Sequence, residues 1–412
     1  MKVCVLGLGY IGLPTASVLA TSGHTVLGVD IDRRIVELIN KKQVHIEEKG
    51  LKTLFGAAVN SGNLTASTKP APSDAFIIAV PTPEKNDRAD LSFLRSAAET
   101  ISAHLRPGNI VIVESTIPPG ATEEHVVPVL ETSGLKAGRD FHVAHCPERV
   151  LPGQILKELI QNDRVIGGLT PDCAARAAEL YRSFVQGRIE LTDLRTAEMV
   201  KLVENSYRDV NIAFANTISN ICLAQQVRSA RVIELANMHP RVNILRPGPG
   251  VGGHCIPVDP WFLIECAPKN AELLKTARRV NNQRPRVVAA LAKKMLGRAR
   301  NAKVAVLGVS FKGDVDDVRL APAEIVIDEL ERGGVDVAVY DPHVKQFKKD
   351  LMNLEDALRD ADLAVILADH SDFKYLHPER LGRLMRSRRV LDPFGSVDRA
   401  LWEAAGFEVR TL

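Results

Sequence analysis

Strand-sized apolar runs, each followed by a glycine or polar residue and then by a helical stretch, recur along the first half of the chain. The runs lie at residues 2–8, 24–30, 74–80, 109–116, 140–146, 164–169 and 187–192. Such alternation predicts a parallel, doubly wound sheet with helices on both faces. Ligands of these sheets bind where the strands end, so the strand ends are the first place to look for chemistry.

The stretch from 188 to 239 contains neither glycine nor proline, and after a short strand it predicts one long helix at about 196–226. A helix of ~30 residues spans about 45 Å, which is more than a small domain needs. We therefore expect it to join two domains and to pack on a second subunit. Its apolar positions recur at three- and four-residue steps: Val200, Val203, Tyr207, Val210, Phe214, Ile218 and Ile221.

The strand–helix rhythm restarts at 303–309, with a helix from about Pro322 and strands at 335–340, 363–367, 390–391 and 407–409. The fold class predicted is α/β, with two Rossmann-like doubly wound parallel-sheet domains joined by a long central helix. The predicted boundaries are 1–190, a central helical region at 191–297, and 298–412.

Composition removes several classes of function. The 412 residues carry a net charge of only +3, which gives no reason to expect a nucleic-acid or membrane partner. No apolar run is long enough to cross a membrane, and the N-terminus enters a strand pattern without a signal peptide. The six cysteines are scattered without a C-x-x-C pair, which favours reduced thiols in the cytoplasm and predicts no disulfide framework and no metal site.

The first strand runs into Gly7, Gly9 and Gly12 of a Gly-x-Gly-x-x-Gly turn, and the second strand ends in Asp30. Glycines at these places allow a tight turn and the approach of a pyrophosphate to a helix N-terminus. An acid about 20 residues further on accepts from the ribose hydroxyls and repels a 2′-phosphate. The complete context predicts NAD rather than NADP, whereas the later domain lacks the full motif and should hold no second NAD.

A Gly/Pro-rich segment, GPGVGGHCIPVDP at 248–260, holds four glycines in its first six residues, then Cys255 two residues after the last of them and Asp259 four residues further on. Taken alone, the cysteine could equally be a buried structural one. An NAD domain combined with a thiol suggests oxidation of an aldehyde to an acid, because a thiolate adds to the carbonyl and the resulting thiohemiacetal can lose hydride. A helix starting after Gly253 would place Cys255 and Asp259 on one face.

Three strand ends carry polar residues that should line the same crevice, at 81–83, 114–116 and 146–148. On the long helix, Lys201 and Asn205 are four apart and share a face. Most helix lysines are merely solvated, but this chemistry needs a cation for the oxyanion, a base and an activated water. Lys201, Asp259 and Glu148 have side chains suited to those roles.

The sequence resembles the nucleotide-sugar 6-dehydrogenase family, which includes the UDP-glucose and UDP-N-acetylhexosamine dehydrogenases. The resemblance covers essentially the whole chain. It is carried by GLGYIGLP at 7–14, VDID at 29–32, VPTP at 80–83, ESTIPPG at 114–120, HCPERVLPG at 145–153, EMVKLVENS at 198–206, GPGVGGHCIPVDPW at 248–261 and SFKGDVDDVR at 310–319.

The resemblance implies a four-electron oxidation of a sugar C6 alcohol to a carboxylate, with two NAD+ per turnover and assembly as a homodimer or a dimer of dimers. It implies an N-terminal NAD domain, a central dimerisation region with the cysteine loop and a C-terminal UDP-sugar domain. The implied catalytic residues are Cys255 as nucleophile, Lys201 and Asn205 for the oxyanion, Asp259 for protons, and Thr116 and Glu148 for the hydrolytic water.

The resemblance also implies two sets of binding residues. The cofactor set is Gly7, Gly9, Tyr10, Ile11, Gly12, Asp30, Arg34, Pro81, Thr82 and Thr116. The UDP-sugar set is Arg149, Val150, Leu151, Lys201, Asn205, Arg208, Arg241, Asn243, Gly252, His254, Lys312 and Arg319. Within it, Arg241 matches the arginine that reaches the sugar nucleotide from a neighbouring subunit, and Lys312 and Arg319 match the residues that bind the UDP moiety.

The segment 239–262 is most similar to the branch that oxidises UDP-N-acetylmannosamine, an activity expected to serve surface polysaccharide synthesis. Pro152, where the glucose enzymes usually carry glutamate, also favours the N-acetylhexosamine branch. Leu320, Ala321 and the segment 392–395 depart from the family's UDP-binding pattern. The alternatives are the same chemistry on UDP-GlcNAc or UDP-glucose, a single-step β-hydroxyacid dehydrogenase, and a catalytically silent NAD-binding scaffold.

Overall fold

The computed structural model describes residues 1–297 and 301–412. The chain divides into two compact units. Unit 1 comprises Met1–Glu204 and Trp261–Pro268, and unit 2 comprises Asn205–Pro260 and Lys269–Leu412. None of the described helices is long and apolar enough to span a bilayer.

Unit 1 is built on an eight-stranded sheet in the order β3-β2-β1-β4-β5-β6-β7-β8. The strands are β1 Lys2–Leu6, β2 Thr25–Val29, β3 Leu64–Ser67, β4 Ala75–Ile78, β5 Ile110–Val113, β6 His142–His145, β7 Arg164–Gly168 and β8 Ile189–Asp193. The predicted α/β class is confirmed. One detail differs, because β7 pairs antiparallel with β6 and parallel with β8, so the last two strands run opposite to the first six.

Unit 2 contains a five-stranded, all-parallel sheet in the order β10-β9-β11-β12-β13. Its strands are β9 Lys303–Leu307, β10 Asp336–Tyr340, β11 Leu363–Ile366, β12 Arg389–Asp392 and β13 Glu408–Thr411. The sequence pattern predicted each of these strands to within two residues.

Fifteen α-helices of four or more residues connect and flank the strands in the described residues. They are α1 Gly12–Thr21, α2 Arg33–Asn40, α3 Leu51–Asn60, α4 Ser92–Ser102, α5 Val127–Leu130, α6 Ile155–Gln161, α7 Pro171–Tyr181, α8 Leu194–Ala224, α9 Ser229–Ala236, α10 Asp259–Cys266, α11 Glu272–Leu296, α12 Pro322–Arg332, α13 Leu354–Leu358, α14 Pro378–Gly382 and α15 Arg399–Ala404. Short helical turns of other types lie at Thr122–Val126, Glu131–Ser133 and Ser371–Tyr375.

Both sheets are covered by apolar cores on both faces. In β1, Val3 and Val5 belong to one core while Cys4 and Leu6 belong to the other. A strand buried on both faces reads as a continuous apolar run rather than an alternating one. Because the strands are buried on both faces, their positions could be predicted from apolar runs in the sequence.

The long helix α8 has 31 residues, in agreement with its predicted length. Its buried face includes Leu202, Ala213 and Ala215, whereas three large apolar side chains of the same helix are more than half exposed in the single chain, namely Tyr207, Phe214 and Ile221. They stand seven residues apart and therefore form a stripe along one side of the helix.

Candidate active site

The glycine turn after β1 requires two of its three glycines for the fold itself. Gly7 has a φ of +90°, and a Cβ there would lie 2.5 Å from the Ala79 carbonyl oxygen. A Cβ on Gly12 would lie 1.7 Å from the Gly7 carbonyl oxygen. A Cβ on Gly9 would meet no atom within 4 Å, so the fold itself does not require glycine there. The open space beside the Gly9 Cα can instead admit a ligand.

Helix α1 begins at this turn with Ile11 at its N-cap, which has no side-chain acceptor for the first backbone N–H groups. Tyr10 is 42% exposed and Ile11 is half-buried. An uncapped helix N-terminus beside glycines binds a phosphate group well. The turn therefore fits the pyrophosphate of a dinucleotide.

Asp30 follows β2 and is fixed against this turn. Its Oδ2 accepts from the Leu8 N–H at 2.9 Å and its Oδ1 accepts from the Asp32 N–H at 2.9 Å. The half-buried carboxylate keeps lone pairs for ribose hydroxyls. Arg34, in contrast, has a highly exposed side chain that is ion-paired with Asp32 at 2.9 Å.

The loops after β4 and β5 meet, as the strand-end argument predicted. The Ser115 hydroxyl donates to the Val80 carbonyl at 2.7 Å. Pro81 is exposed, and Thr116 is half-buried directly after Ser115. The Thr82 hydroxyl oxygen is buried without a hydrogen-bond partner among the described residues. A buried orphan hydroxyl at this place fits a polar group of the cofactor.

The loop after β6 buries Glu148 at 3% exposure. Its carboxylate accepts from the Arg149 N–H at 2.7 Å and pairs with Arg164 at 3.3 Å. The Arg149 guanidinium itself pairs with Glu204 at 2.7 Å. Val150 packs on the sheet core and Leu151 is 41% exposed.

Lys201 lies close enough to the end of β6 to act on His145. Burial first, and the positive charge of Lys201 second, lower the pKa of His145 to about 3. His145 is therefore neutral at physiological pH. Unit 1 thus contains three of the predicted catalytic residues, Thr116, Glu148 and Lys201, together with the predicted cofactor residues.

In unit 2, the Gly/Pro-rich segment is anchored at Gly248. The Gly248 N–H donates to the Asn216 side chain at 3.0 Å, and the Gly248 carbonyl accepts from Arg284 Nε at 2.9 Å. Arg284 is fully buried and also donates to Ser219 and Asn220 of α8. Burial lowers its pKa to about 10. Sequence reasoning missed this arginine because nothing in the helix pattern distinguishes it from a surface one.

The next glycines of the segment serve packing within unit 2. A Cβ on Gly252 would lie 2.7 Å from both the Leu320 carbonyl oxygen and the Phe311 Cβ. The Gly253 N–H donates to the Arg319 carbonyl at 2.9 Å. The two glycines therefore let the segment lie against the loop between β9 and α12, which carries Lys312 and Arg319.

Cys255 and Asp259 are joined by a turn rather than by a helix. The Cys255 carbonyl accepts from the N–H groups of Val258 at 3.0 Å and of Asp259 at 2.8 Å. Helix α10 starts only at Asp259, so the helix expected after Gly253 begins later, with Pro257 in the turn before it. The i to i+4 bond still holds the two residues together.

Asp259 is 3% exposed and accepts from the Asn205 amide at 2.6 Å. Two predicted catalytic residues of unit 2 are thus in direct contact. Among the six cysteines, Cys255 is half-buried and Cys266 exposed, whereas the other four are buried. Accessibility therefore separates Cys255 and Cys266 from the four buried cysteines, and of these two only Cys255 is followed by the Asp259–Asn205 contact.

A buried polar cluster fixes the loop after β9 through hydrogen bonds. The Ser310 hydroxyl donates to the Lys312 carbonyl at 2.6 Å, and His370 lies 3.1 Å from Asp341. Arg319 pairs with Asp317 at 2.5 Å. Burial opposes the charge of Asp317, but its bonds from Arg319, with the His254 charge as a lesser factor, lower its pKa overall. His254 therefore lies near this loop.

Three predicted substrate residues of unit 2 stand apart from these contacts. Arg208, Arg241 and Asn243 are exposed in the single chain. The Arg241 guanidinium lies 3.5 Å from the His239 ring. Their predicted role toward a substrate or a neighbouring subunit remains a prediction.

Comparison with known proteins gives the same picture along the whole chain. Models of the UDP-glucose/GDP-mannose dehydrogenase family match in three consecutive segments: the NAD binding domain over residues 1–185, the central domain over 195–283 and the UDP binding domain over 305–399. The prediction of NAD as cofactor is confirmed by the first of these matches.

Relatives match over nearly their full length. The UDP-N-acetyl-D-mannosamine dehydrogenase of Methanocaldococcus jannaschii is 48% identical over 100% of this chain and 96% of its own. An NDP-N-acetyl-D-galactosaminuronic acid dehydrogenase of Ralstonia solanacearum is 47% identical over 98% of this chain and 96% of its own. The solved UDP-D-ManNAc dehydrogenase of Pyrococcus horikoshii superposes with a TM-score of 0.93 at 43% identity, covering 100% of this chain and 99% of that one. The chain belongs to the UDP-glucose/GDP-mannose dehydrogenase family.

Proposed function

We propose that the protein oxidises the C6 hydroxyl of UDP-N-acetyl-D-mannosamine to the carboxylate, with two NAD+ consumed per turnover. The observation that carries the proposal is the turn in which an accessible thiol, Cys255, is followed by the buried carboxylate Asp259, itself bonded to Asn205. A dehydrogenase that stops at a ketone needs no such thiol.

The chemistry runs in two oxidations. When bound, NAD+ supplies the hydride acceptor for each of them. The Cys255 thiolate adds to the C6 aldehyde of the first oxidation, and the thiohemiacetal is oxidised to a thioester. Lys201 and Asn205 donate to the oxyanion, and Asp259 accepts and returns protons. Thr116 and Glu148 orient the water that hydrolyses the thioester.

The binding roles belong to the same proposal. The cofactor lies on Gly7, Gly9, Tyr10, Ile11, Gly12 and Asp30, with Pro81, Thr82 and Thr116 beside it and Arg34 at its edge. Lys312 and Arg319 offer fixed cations for the diphosphate. The sugar and the rest of the nucleotide are contacted by Arg149, Val150, Leu151, Lys201, Asn205, Arg208, Arg241, Asn243, Gly252 and His254.

The choice of sugar rests on two supports. Pro152 replaces the glutamate usual in the glucose enzymes, and the M. jannaschii relative bears the mannosamine name. UDP-GlcNAc, UDP-glucose and the galactosamine analogue suggested by the R. solanacearum relative are the alternatives. NADH release measured across this panel of UDP-sugars decides among them, and the proposed sugar should give the highest kcat/KM.

The thiol is tested with Cys255→Ser. This variant should lose acid formation by roughly 1,000-fold or more while NAD still binds, because an alkoxide is far less readily formed than a thiolate. Cys266→Ser, which removes an exposed thiol, is the matched control and should keep full activity. Two NADH per acid are expected in the wild type. One NADH per product would instead indicate the single-step β-hydroxyacid reaction.

We also propose a cytoplasmic homodimer, or a dimer of dimers, formed through α8. The exposed stripe of Tyr207, Phe214 and Ile221 supports this assembly because monomers rarely leave such a continuous apolar stripe in water. Phe214→Glu should shift the sedimentation coefficient to that of a monomer. Leu401→Glu, at a similarly exposed apolar residue, should not.

A further inference from the structure

Unit 1 buries two carboxyl groups, one guanidinium and one phenol beneath the loop after β6. Glu114 is 2% exposed, Glu148 3%, Arg164 5% and Tyr181 0%. They come from the end of β5, the loop after β6, the start of β7 and the end of α7. Charged groups in such an interior persist only when they are paired or neutralised.

The cation pairs with one of the two acids. Both terminal nitrogens of Arg164 lie 3.3 Å from Glu148 Oε2. The same guanidinium stacks 5.1 Å above the Tyr181 ring. Glu114 instead accepts from the Tyr181 hydroxyl at 2.6 Å and from Thr15 at 3.5 Å. Within residues 1–297 and 301–412, Glu114 has no cation within 4 Å.

We propose that Glu114 and Glu148 hold one proton between them, and that Glu114 is a positioning residue whose ionisation sets the basicity of Glu148 during thioester hydrolysis. One buried cation balances one carboxylate, so the second is neutral or repels the first. This inference rests on the function proposed above, because it assigns Glu148 to the hydrolytic water.

The electrostatics agree with the geometry. Burial first, and the charge of Glu148 second, raise the pKa of Glu114 to about 7. Burial likewise raises the pKa of the Cys146 thiol, 3.7 Å from Arg164, to about 11, and holds the pKa of Tyr181 well above its ordinary value. Neither of these groups ionises near neutrality, so Glu114 is the group of this cluster that titrates there.

The hydrolysis step balances with this pair. The water oxygen forms a bond to the thioester carbon, the C–S bond breaks, and Cys255 leaves as the thiolate. Glu148 takes one proton from the water, and the second proton goes to solvent as the product acid ionises. An ionised Glu114 makes Glu148 a stronger base, because a nearby negative charge favours its protonated form.

The test is the pH dependence of thioester hydrolysis, followed by rapid quench and intact-mass detection of the Cys255 adduct. The rate of wild-type hydrolysis should rise with pH, and this rising limb of the pH–rate profile should have an apparent pKa of about 7. Glu114→Gln should lose this limb and hydrolyse ~10-fold more slowly at pH 8, with unchanged hydrolysis at pH 6. Tyr181→Phe removes a donor to the ionised carboxylate, so it should move the limb to higher pH.

Glu265→Gln is the matched control. Burial also raises the pKa of Glu265, which lies in the same unit but accepts from the Ala89 N–H, outside this cluster. Its limb should match that of the wild type. An unchanged limb in Glu114→Gln, or a shift to lower pH in Tyr181→Phe, overturns the proposal.

An infrared titration without substrate separates this inference from the proposed function. The carbonyl band of a buried protonated carboxyl should disappear through pH 7 in the wild type and be missing in Glu114→Gln. If no UDP-sugar is oxidised but this band titrates as expected, the proposed function fails while the shared proton stands. If acid is formed but the band is absent or identical in both proteins, the shared proton is wrong.

Discussion

The turns after β1 and β9 are built alike but present different chemistry. In each, a glycine with positive φ donates its N–H to the end of the next strand, Gly7 to Val29 and Gly308 to Tyr340, both at 2.8 Å. In each, the acid after that strand accepts from the turn: Asp30 from the Leu8 N–H at 2.9 Å and Asp341 from the Val309 N–H at 2.7 Å.

The difference lies in the chain after the glycine. Helix α1 starts at Gly12, inside the turn, and no side chain caps its first backbone N–H groups, which leaves them available to an anion. Helix α12 starts only at Pro322, and the long loop before it carries Lys312 and Arg319 instead. One turn thus offers an anion a helix terminus, and the other offers side-chain cations.

The two acids also differ in exposure. Asp30 is half-buried and keeps acceptor capacity, whereas Asp341 is 7% exposed and is covered by His370 at 3.1 Å. An acid after the second strand is therefore a clamp for the turn in both units. Only the half-buried Asp30 keeps acceptor capacity for a ribose, so a glycine turn followed by an acid does not by itself identify a cofactor site.

The largest effect is expected from Gly12→Ala. The new Cβ would lie 1.7 Å from the Gly7 carbonyl oxygen, so the turn must open. NAD affinity should fall at least ~100-fold, equivalent to ~3 kcal/mol. Gly9→Ala, whose Cβ meets no atom of the chain, should fold normally and lose about 10-fold through contact with the pyrophosphate. Calorimetric titration with NAD+ measures both, and equal losses would remove the distinction between the two glycines.

The hydrogen bonds that Asp341 accepts from the turn of unit 2 should make the stability of this unit sensitive to acid. Burial raises the pKa of Asp341, but bonds from His370 and from three backbone N–H groups outweigh burial and lower it to about 2. A folded-state pKa below the unfolded value of ~3.9 stabilises the protein above pH ~4, and this contribution is lost as the pH falls toward 2.

Asp341→Asn should therefore reduce the free energy of unfolding by roughly 2 kcal/mol at pH 7 and flatten its decline between pH 4 and 2. Urea unfolding of the unit 2 transition at several pH values measures this. Asp336→Asn, at the exposed start of β10, the strand that Asp341 follows, should change the free energy of unfolding by less than ~0.5 kcal/mol. A decline as steep in Asp341→Asn as in the wild type would assign the acid sensitivity to other groups.

The sequence predicted the strands whose side chains are buried on both faces of a sheet. Continuous apolar runs identified most strands because both faces of each sheet are covered, as the two cores that share β1 illustrate. Strand β3 was missed because Leu64–Ser67 lies at the sheet edge with only Leu64 buried. The reversal of β7 was missed because an apolar run reads the same in both directions.

Residues of the candidate site were predictable where a motif fixed them, as with Asp30 and the Cys255 turn. Arg164 and Arg284 were not, because an arginine in one strand or helix shows its partners only after folding brings distant elements together. Glu148 lies 16 residues from Arg164, and Gly248 lies 36 residues from Arg284. The local pattern of apolar and polar residues does not indicate pairs that are so far apart in the sequence.

A smaller effect is expected at Asp30, the half-buried acid of unit 1. Asp30→Ala should weaken NAD about 10-fold, since a carboxylate bonded to ribose is worth roughly 1.4 kcal/mol or more, and should relax the discrimination against NADP. Asp30→Asn keeps an acceptor for the Leu8 N–H but removes the charge, so it should recover NADP binding with less loss of NAD. Fluorescence titration with both cofactors measures this. Unchanged NAD affinity in Asp30→Ala would show that the acid is only a clamp here too.

The smallest effect is expected where side chains replace the helix terminus. Lys312→Met should weaken UDP about 5-fold, with a loss that shrinks at high salt because the attraction of an accessible cation is screened. Arg319→Met should cost less, since in this structure Arg319 already pairs with Asp317 and only part of its charge is available to the diphosphate. Neither variant should alter NAD affinity. UDP titrations at two ionic strengths test the contrast between the turns. A loss of UDP binding that is insensitive to salt would mean that Lys312 shapes the loop rather than attracting the diphosphate.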